Sequence, residues 1–407
     1  MHAIHLNSFE TLLFALLIYL LGHYLSKRIA LLNRYCIPAP VAGGLLSSLA
    51  VTLLSAAGIA DIRFDNSLMA YFMLIFFTTV GLGANFRLIK LGGKILIVYW
   101  LACGFLALAQ NFIGVSMASL LGLDPLLGVL AGAVSMEGGH GAAATFGKTI
   151  EELGVANAMP VGLAAATLGL VAGSLSGGPV AKKLIGKYAL APDLSAQPRQ
   201  AADAQSAIDA IQGGKSHWQA DKVLRMLALI TACCVAGQWS AKGFTALTGF
   251  SLPAYVPAMF LAVIVRNVLD MKNTDIVDFR LSTLIGDVSL AVFLTIALMS
   301  INLLQIADLA LPLVAIVAVQ VVFVVAFAYF ILFKLLGKNY DAAVMAAGFC
   351  GHGLGATPNA VANMDAVTKK YGYSYQAFII VPVVGAFLID IFGMPIIITT
   401  INLLSTP

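Results

Sequence analysis

Charge is scarce in this sequence. Asp, Glu, Lys and Arg make up 10% of its 407 residues, where soluble domains carry about 25%. So few charges cannot cover a soluble protein of this size. The remainder is 60% apolar with a mean hydropathy of +0.95, which points to a polytopic membrane protein. Cysteine is also sparse: Cys36, Cys103, Cys233, Cys234 and Cys350 are odd in number and form no Cys-x-x-Cys. Neither a disulfide framework nor a zinc site is indicated, and the cysteines read as small buried hydrophobes. There is no nucleotide-binding P-loop, no Gly-x-Ser-x-Gly and no His-Glu-x-x-His, so ATP-driven transport within the chain and the common hydrolytic sites are not indicated. Nothing points to a nucleic-acid partner or a cofactor.

Positive charge is absent before the first apolar run and present after it, at Lys27 and Arg28. A cleaved signal has the opposite polarity, so the first run reads as a retained span with an external start. A spanning helix needs about 20 apolar residues. The first half offers Ser8–Ser26, Pro40–Gly58, Leu68–Asn85, Ile95–Gly122 and Met159–Ala181, with Pro125–Gly147 as a candidate hairpin before the last. The stretch Lys182–Lys222 is a polar linker. The second half offers Val223–Gly243, Tyr255–Val268, Thr283–Ile306, Leu309–Leu336 and Tyr375–Asn402, with a second candidate hairpin at Asp341–Met364.

The halves repeat each other. Pro38-Ala39-x-Val41 recurs as Pro253-Ala254-x-Val256. Phe76-x-Thr78 with Asn85 recurs as Phe293-x-Thr295 with Asn302, and Leu120-Leu121-Gly122 as Leu335-Leu336-Gly337. The hairpins share Gly-His-Gly-x-x-Ala-Thr, as Gly139-His140-Gly141 leading to Thr145 and Gly351-His352-Gly353 leading to Thr357. Glycine-rich sequence makes a poor helix interior. In lipid, irregular backbone persists only where protein or a water-filled cavity satisfies it.

Positive-inside placement decides whether the hairpins cross or turn back. If both turn back and the chain starts outside, then of the 23 Lys and Arg residues only Arg63, Lys148 and Lys242 lie outside. If they cross, the bias collapses. The rule favours re-entrant hairpins. Each half then has five crossings. Five is odd, so the second copy is inverted, both termini lie outside, and the hairpin tips approach each other from opposite faces. The expected fold is an all-α polytopic membrane protein of two inverted repeats, residues 1–181 and 223–407, joined by the linker at 182–222.

Solute chemistry belongs at those tips. Free N–H groups at half-helix ends favour a carboxylate. Gly138, Gly139, His140, Gly141, Thr145, Gly351, His352, Gly353 and Thr357 are the candidate substrate residues. The histidines are read as ligands or equally as groups bonded to local carbonyls. Asp390, deep in the last apolar run, suits a small hard cation, and Thr78, Asn85, Thr295 and Asn302 are candidate neutral oxygens for it. Interhelical or local hydrogen bonding is the competing reading of each Thr and Asn. Glu137 and Asp287 are candidate protonatable groups, since ionisable residues in spans are functional by default.

Longer motifs carry a family resemblance. Ile37-Pro-Ala-Pro-Val-Ala-Gly-Gly44, Gln110-Asn111 with Met117-Ala-Ser-Leu-Leu-Gly-Leu-Asp-Pro125, and Gly138-Gly-His-Gly141 resemble the bacterial sodium/glutamate symporters. So do Gly337-Lys-Asn-Tyr-Asp-Ala-Ala343, Gly353-Leu-Gly-Ala-Thr-Pro358, Ala362-Asn-Met364 and Val381-Pro-Val-Val-Gly-Ala-Phe387 with Ile389-Asp390. The resemblance implies an inner-membrane secondary transporter that couples sodium entry to glutamate uptake. It also implies ten spans, two re-entrant hairpins, a homodimer and elevator-like alternating access. The sequence departs from the family pattern at Glu137, where a small hydroxyl residue is expected, and at Ala142-Ala143, in place of Thr-Gly. It departs again at Asp287, in place of an amide, and at His352, in place of an aromatic. Extra carboxylates disfavour a dianionic amino acid unless a proton or sodium ion offsets them. Another carboxylate-bearing solute, proton coupling, and an intramembrane aspartyl hydrolase using Asp287 and Asp390 are the alternatives.

Overall fold

The computed structural model describes residues 2–34, 37–192, 219–249, 252–272, 276–301 and 308–405. Most of the expected linker, and Asn302, lie outside them. The described chain is almost wholly helical. Among the described residues, seven helices are long and apolar enough to cross a membrane: Ser8–Arg28, Ala39–Ala56, Gly93–Leu120, Ala158–Tyr188, Ala220–Thr248, Phe279–Met299 and Ala310–Leu335. Ser67–Gly83 and Tyr255–Met271 are shorter, at 17 residues each. The final apolar run is divided by a π turn at Val384–Leu388 into Tyr375–Val383 and Ile389–Ser405.

The all-helical expectation needs one correction. His2–His5 (β1) and Ala60–Arg63 (β2) pair as a two-stranded parallel ribbon, His2 opposite Ala60. At four residues each, these segments are too short for their patterning to read as strands.

The first helix, α1 (Ser8–Arg28), starts with a capping box. The Asn7 side chain accepts from the Phe9 and Glu10 N–H groups, and the Glu10 carboxylate accepts from the Asn7 N–H. Its start is therefore fixed locally. Phe9, Leu13, Leu17 and Leu20 remain exposed along it, an outer face suited to lipid.

Two packed cores position the site. One joins α1, α2 (Ala39–Ala56) and α3 (Phe279–Met299), with Ala15, Val41, Phe293 and Leu298 buried between them. The other gathers the two helix–turn–helix units around α4 (Phe86–Leu120) and α5 (Ala158–Tyr188). The first unit runs through α6 (Pro125–Val129), a π turn at Leu130–Val134, and α7 (Gly139–Glu152). The second runs through α8 (Tyr340–His352) and α9 (Thr357–Tyr371). At 1.5 Å per residue, arms of 13 to 15 residues reach about 20–22 Å. A hydrocarbon core is about 30 Å thick.

The irregular backbone of both units is satisfied from α4. Asn111 Oδ1 accepts from the Ala133 N–H at 3.2 Å, inside the first unit's π turn. Its neighbour Gln110 donates from Nε2 to the Gly353 carbonyl of the second turn at 2.6 Å. Gln320 in turn donates to the Gln110 carbonyl at 2.8 Å. Helix α5 holds the second unit by a different device. Gly169, Gly173 and Gly177 present a flat stripe, and any Cβ there would meet Leu354, Asn359, Asn363 or Ala347. Across that stripe Asn359 donates to the Leu170 carbonyl and Asn363 to the Gly173 carbonyl, at 2.8 and 2.9 Å. Small residues that admit close backbones, with amides bonding across them, are a membrane packing solution.

Candidate functional site

The two turns meet. A Cβ built on Gly139 would lie 2.8 Å from the Gly355 carbonyl oxygen. Gly139 also has φ +61°, in the left-handed region where a side chain is strained. Beside this contact opens a cavity of about 410 Å³. Its walls are Glu137–Ala142 of the first unit, Ala356, Thr357 and Pro358 of the second, Tyr19 of α1, and Phe76 of Ser67–Gly83. Asp287 and Leu290 of α3, Gly385 and Asp390 of the last run, and Pro38–Pro40 at the start of α2 also line it.

Two helices begin at this cavity without side-chain caps. Helix α7 starts at Gly139 behind Gly138, and α9 starts at Thr357 behind Ala356. The first N–H groups of a helix have no partner within it, and they carry the positive end of its dipole. In α9 Pro358 has no N–H and the Asn359 N–H bonds to the Ala356 carbonyl at 3.0 Å, so its first turn offers the Thr357 N–H. Two such ends at one cavity make a place for carboxylate oxygens.

The acidic side chains give the opposite demand. Glu137, Asp287 and Asp390 line the cavity, and no Lys or Arg is among its described lining residues. Glu137 is 7% exposed, and both its carboxylate oxygens are buried without a hydrogen-bond partner. Taking an unpaired carboxylate out of water costs several kcal/mol. Asp287 is exposed at the cavity mouth, while Asp390 is half-buried.

The histidines separate. His140 lines the cavity, and its Nε2 lies 2.9 Å from Thr167 Oγ1. That hydroxyl donates its own proton to the Leu163 carbonyl, so the histidine Nε2 must be the donor to it. His352 is away from the cavity lining. Its ring stacks with Tyr99 at 6.4 Å between centroids and lies against Gly385, with Nδ1 unpartnered. Gly351 and Gly353 are packing positions, too: a Cβ on Gly351 would meet the backbone of Asn359 and Ala360, and one on Gly353 the Leu106 side chain. Thr145 is buried behind the cavity with its hydroxyl unpartnered. Thr357 is at the wall and donates to the Gly385 carbonyl at 2.8 Å, while Trp100 donates to Leu388 in the same π turn.

The candidate oxygens proposed around Asp390 are not gathered there. Thr78 donates to the Leu74 carbonyl and lies 3.3 Å from Cys234 Sγ. Thr295 donates to the Ala291 carbonyl at 2.7 Å. Both hydroxyls are bonded one turn back within their own helix, and neither lines the cavity. Asn85 is buried just beyond Ser67–Gly83, again outside the lining. Sequence reasoning missed Tyr19, Phe76, Leu290, Ala356 and Pro358. The Ala-Thr-Pro signal was present, since Pro early in a helix marks a start.

The family model described as sodium/glutamate symporter matches residues 4–373. The sodium/glutamate symporter of Escherichia coli (strain K12) is 43% identical over 388 residues, 95% of each chain. The chain belongs to the sodium/glutamate symporter family. The protein of that name from Haemophilus influenzae (strain ATCC 51907 / DSM 11121 / KW20 / Rd) is 40% identical over 400 residues, again 95% of each chain. The family makes this chain a multi-pass secondary transporter and not an enzyme, which removes the aspartyl-hydrolase alternative. In the sodium/glutamate symporter frame, the cavity between the turns is the place to seek the transported solute.

Proposed function

We propose that this protein carries glutamate, or a closely related acidic solute, into the cell together with sodium ions. The names of its relatives support both species. The observation that carries the reading is the pair of uncapped helix starts, Gly139 and Thr357, facing one cavity. Carboxylates of the solute bond to those N–H groups. Sodium offsets the acidic wall of Glu137, Asp287 and Asp390, so solute and ion raise each other's affinity by the same factor. No cofactor is required.

The arms of α7, α8 and α9 support re-entrant hairpins, because each is shorter than the membrane core. Element order supports two inverted repeats, at 1–181 and 223–407. Each half runs through four long elements, a helix–turn–helix unit and a closing helix. On this reading ten spans cross a bacterial inner membrane, both termini lie outside, and two protomers pair. The hairpin-bearing part moves against the remainder in an elevator-like cycle.

Purified protein in liposomes tests this. An inward sodium gradient should drive accumulation of labelled glutamate above its equilibrium level, and choline in place of sodium should abolish it. Equal entry with and without the gradient overturns sodium coupling.

A further inference from the structure

We propose that Glu137 is a ligand for a monovalent metal cation of sodium size, held at the tip of the first helix–turn–helix unit and carried with the solute. The inference rests on the transport reading above and adds a site to it. Glu137 sits in the turn between Met136 and Gly138, with its side chain in the cavity wall. Both its oxygens are buried and unpartnered, while the Glu137 and Gly138 N–H groups of the turn are bonded to the Ala133 carbonyl. The carboxylate therefore faces the cavity as a pure acceptor.

The groups facing it strengthen the demand for a cation. Asp390, from the final helix, lines the same cavity. Asp287 adds a third negative charge from α3 at the mouth. His140 is committed to Thr167. Thr357 has spent its proton on Gly385 and keeps oxygen lone pairs at the wall. Carboxylate and hydroxyl oxygens suit hard cations, and Glu137 and Thr357 bring one of each kind to the same cavity. An arriving acidic solute brings further negative charge, so a cation at Glu137 must be present when the solute is.

The experiment uses the full chain, as wild type, Glu137→Gln and Glu137→Ser. In liposomes, the membrane potential that halts solute flux gives the number of sodium ions per solute. Both variants should lose one sodium from that number while still transporting. An unchanged number overturns the proposal. So does the loss of one proton in place of one sodium, which would mean Glu137 travels protonated. In detergent without solute, sodium chloride should raise the unfolding midpoint of the wild type. The concentration for half the effect should rise about tenfold or more in the variants. Equal stabilisation in all three, with only solute affinity lowered, overturns the proposal and gives Glu137 to the solute's ammonium group. This arm decides even if the variants fail to transport. Failure of the transport reading is separate: it shows as absent sodium-driven uptake in the wild type.

Discussion

In the first helix–turn–helix unit, Gly139-His140-Gly141 opens the second arm. In the second unit, Gly351-His352 closes the first arm, and Thr357 opens the second. The same seven-position pattern therefore follows the turn in the first unit and straddles it in the second. In the first unit its glycines and histidine face the cavity. In the second they are packed against Leu106, Tyr99 and the backbone of α9. The two units share a different feature, a helix that begins at the cavity with no side-chain cap. The glycine motif serves whichever close approach each turn requires.

The comparison breaks most visibly with one methyl group in each unit. Gly139→Ala should reduce solute uptake more than tenfold. The left-handed backbone penalises an L side chain by about 1–2 kcal/mol, and the new Cβ presses on the Gly355 carbonyl where the turns touch. Gly351→Ala should instead reduce the folded yield and the unfolding midpoint, because its Cβ meets backbone on the facing arm. Overpacking of this kind costs about 1–3 kcal/mol. Uptake per folded molecule, measured beside the unfolding midpoint, separates the two. Matching losses of uptake per folded molecule would erase the distinction.

The histidines give the next contrast. His352→Ala should lower stability by about 2 kcal/mol, since a buried ring stacked on Tyr99 leaves a cavity behind. His140→Ala should change solute half-saturation more than stability, because its ring lines an existing cavity. Thermal unfolding and uptake kinetics on the same preparations check both.

The apolar runs made the helices legible, and glycine within such runs marked both turns. The ends of α1 and α5 fall within a few residues of the expected spans, apart from the extension of α5 through Lys187 to Tyr188. What each turn does with its glycines was not legible. Gly-His-Gly reads the same whether it ends an arm or begins one. The hydroxyl candidates failed to converge for a local reason: in an apolar helix Thr finds its own carbonyl four residues back before any distant ion. Thr78 and Thr295 both do so. The amides that hold the turns, Gln110, Asn111, Asn359 and Asn363, stood in plain view as polar residues inside apolar runs. Only their partners, irregular carbonyls and N–H groups in other elements, required the structure.

The smallest effect separates the two threonines that end the shared pattern. Thr357 and Thr145 occupy the same motif position, yet Thr357 Oγ1 donates to Gly385 while Thr145 Oγ1 is buried without a partner. Valine matches threonine in shape and replaces the hydroxyl by a methyl. In Thr357→Val the Gly385 carbonyl loses its hydroxyl donor. A lost hydrogen bond of this kind costs about 1 kcal/mol. Because that bond ties the start of α9 to the run carrying Asp390, uptake should fall by about fivefold as well. In Thr145→Val nothing is unpaired, and an unsatisfied buried hydroxyl is replaced by a group that prefers the interior. Stability should stay level or rise slightly, with uptake unchanged. Equal destabilisation by the two substitutions would mean that the second turn is not fastened to the last helix through Thr357.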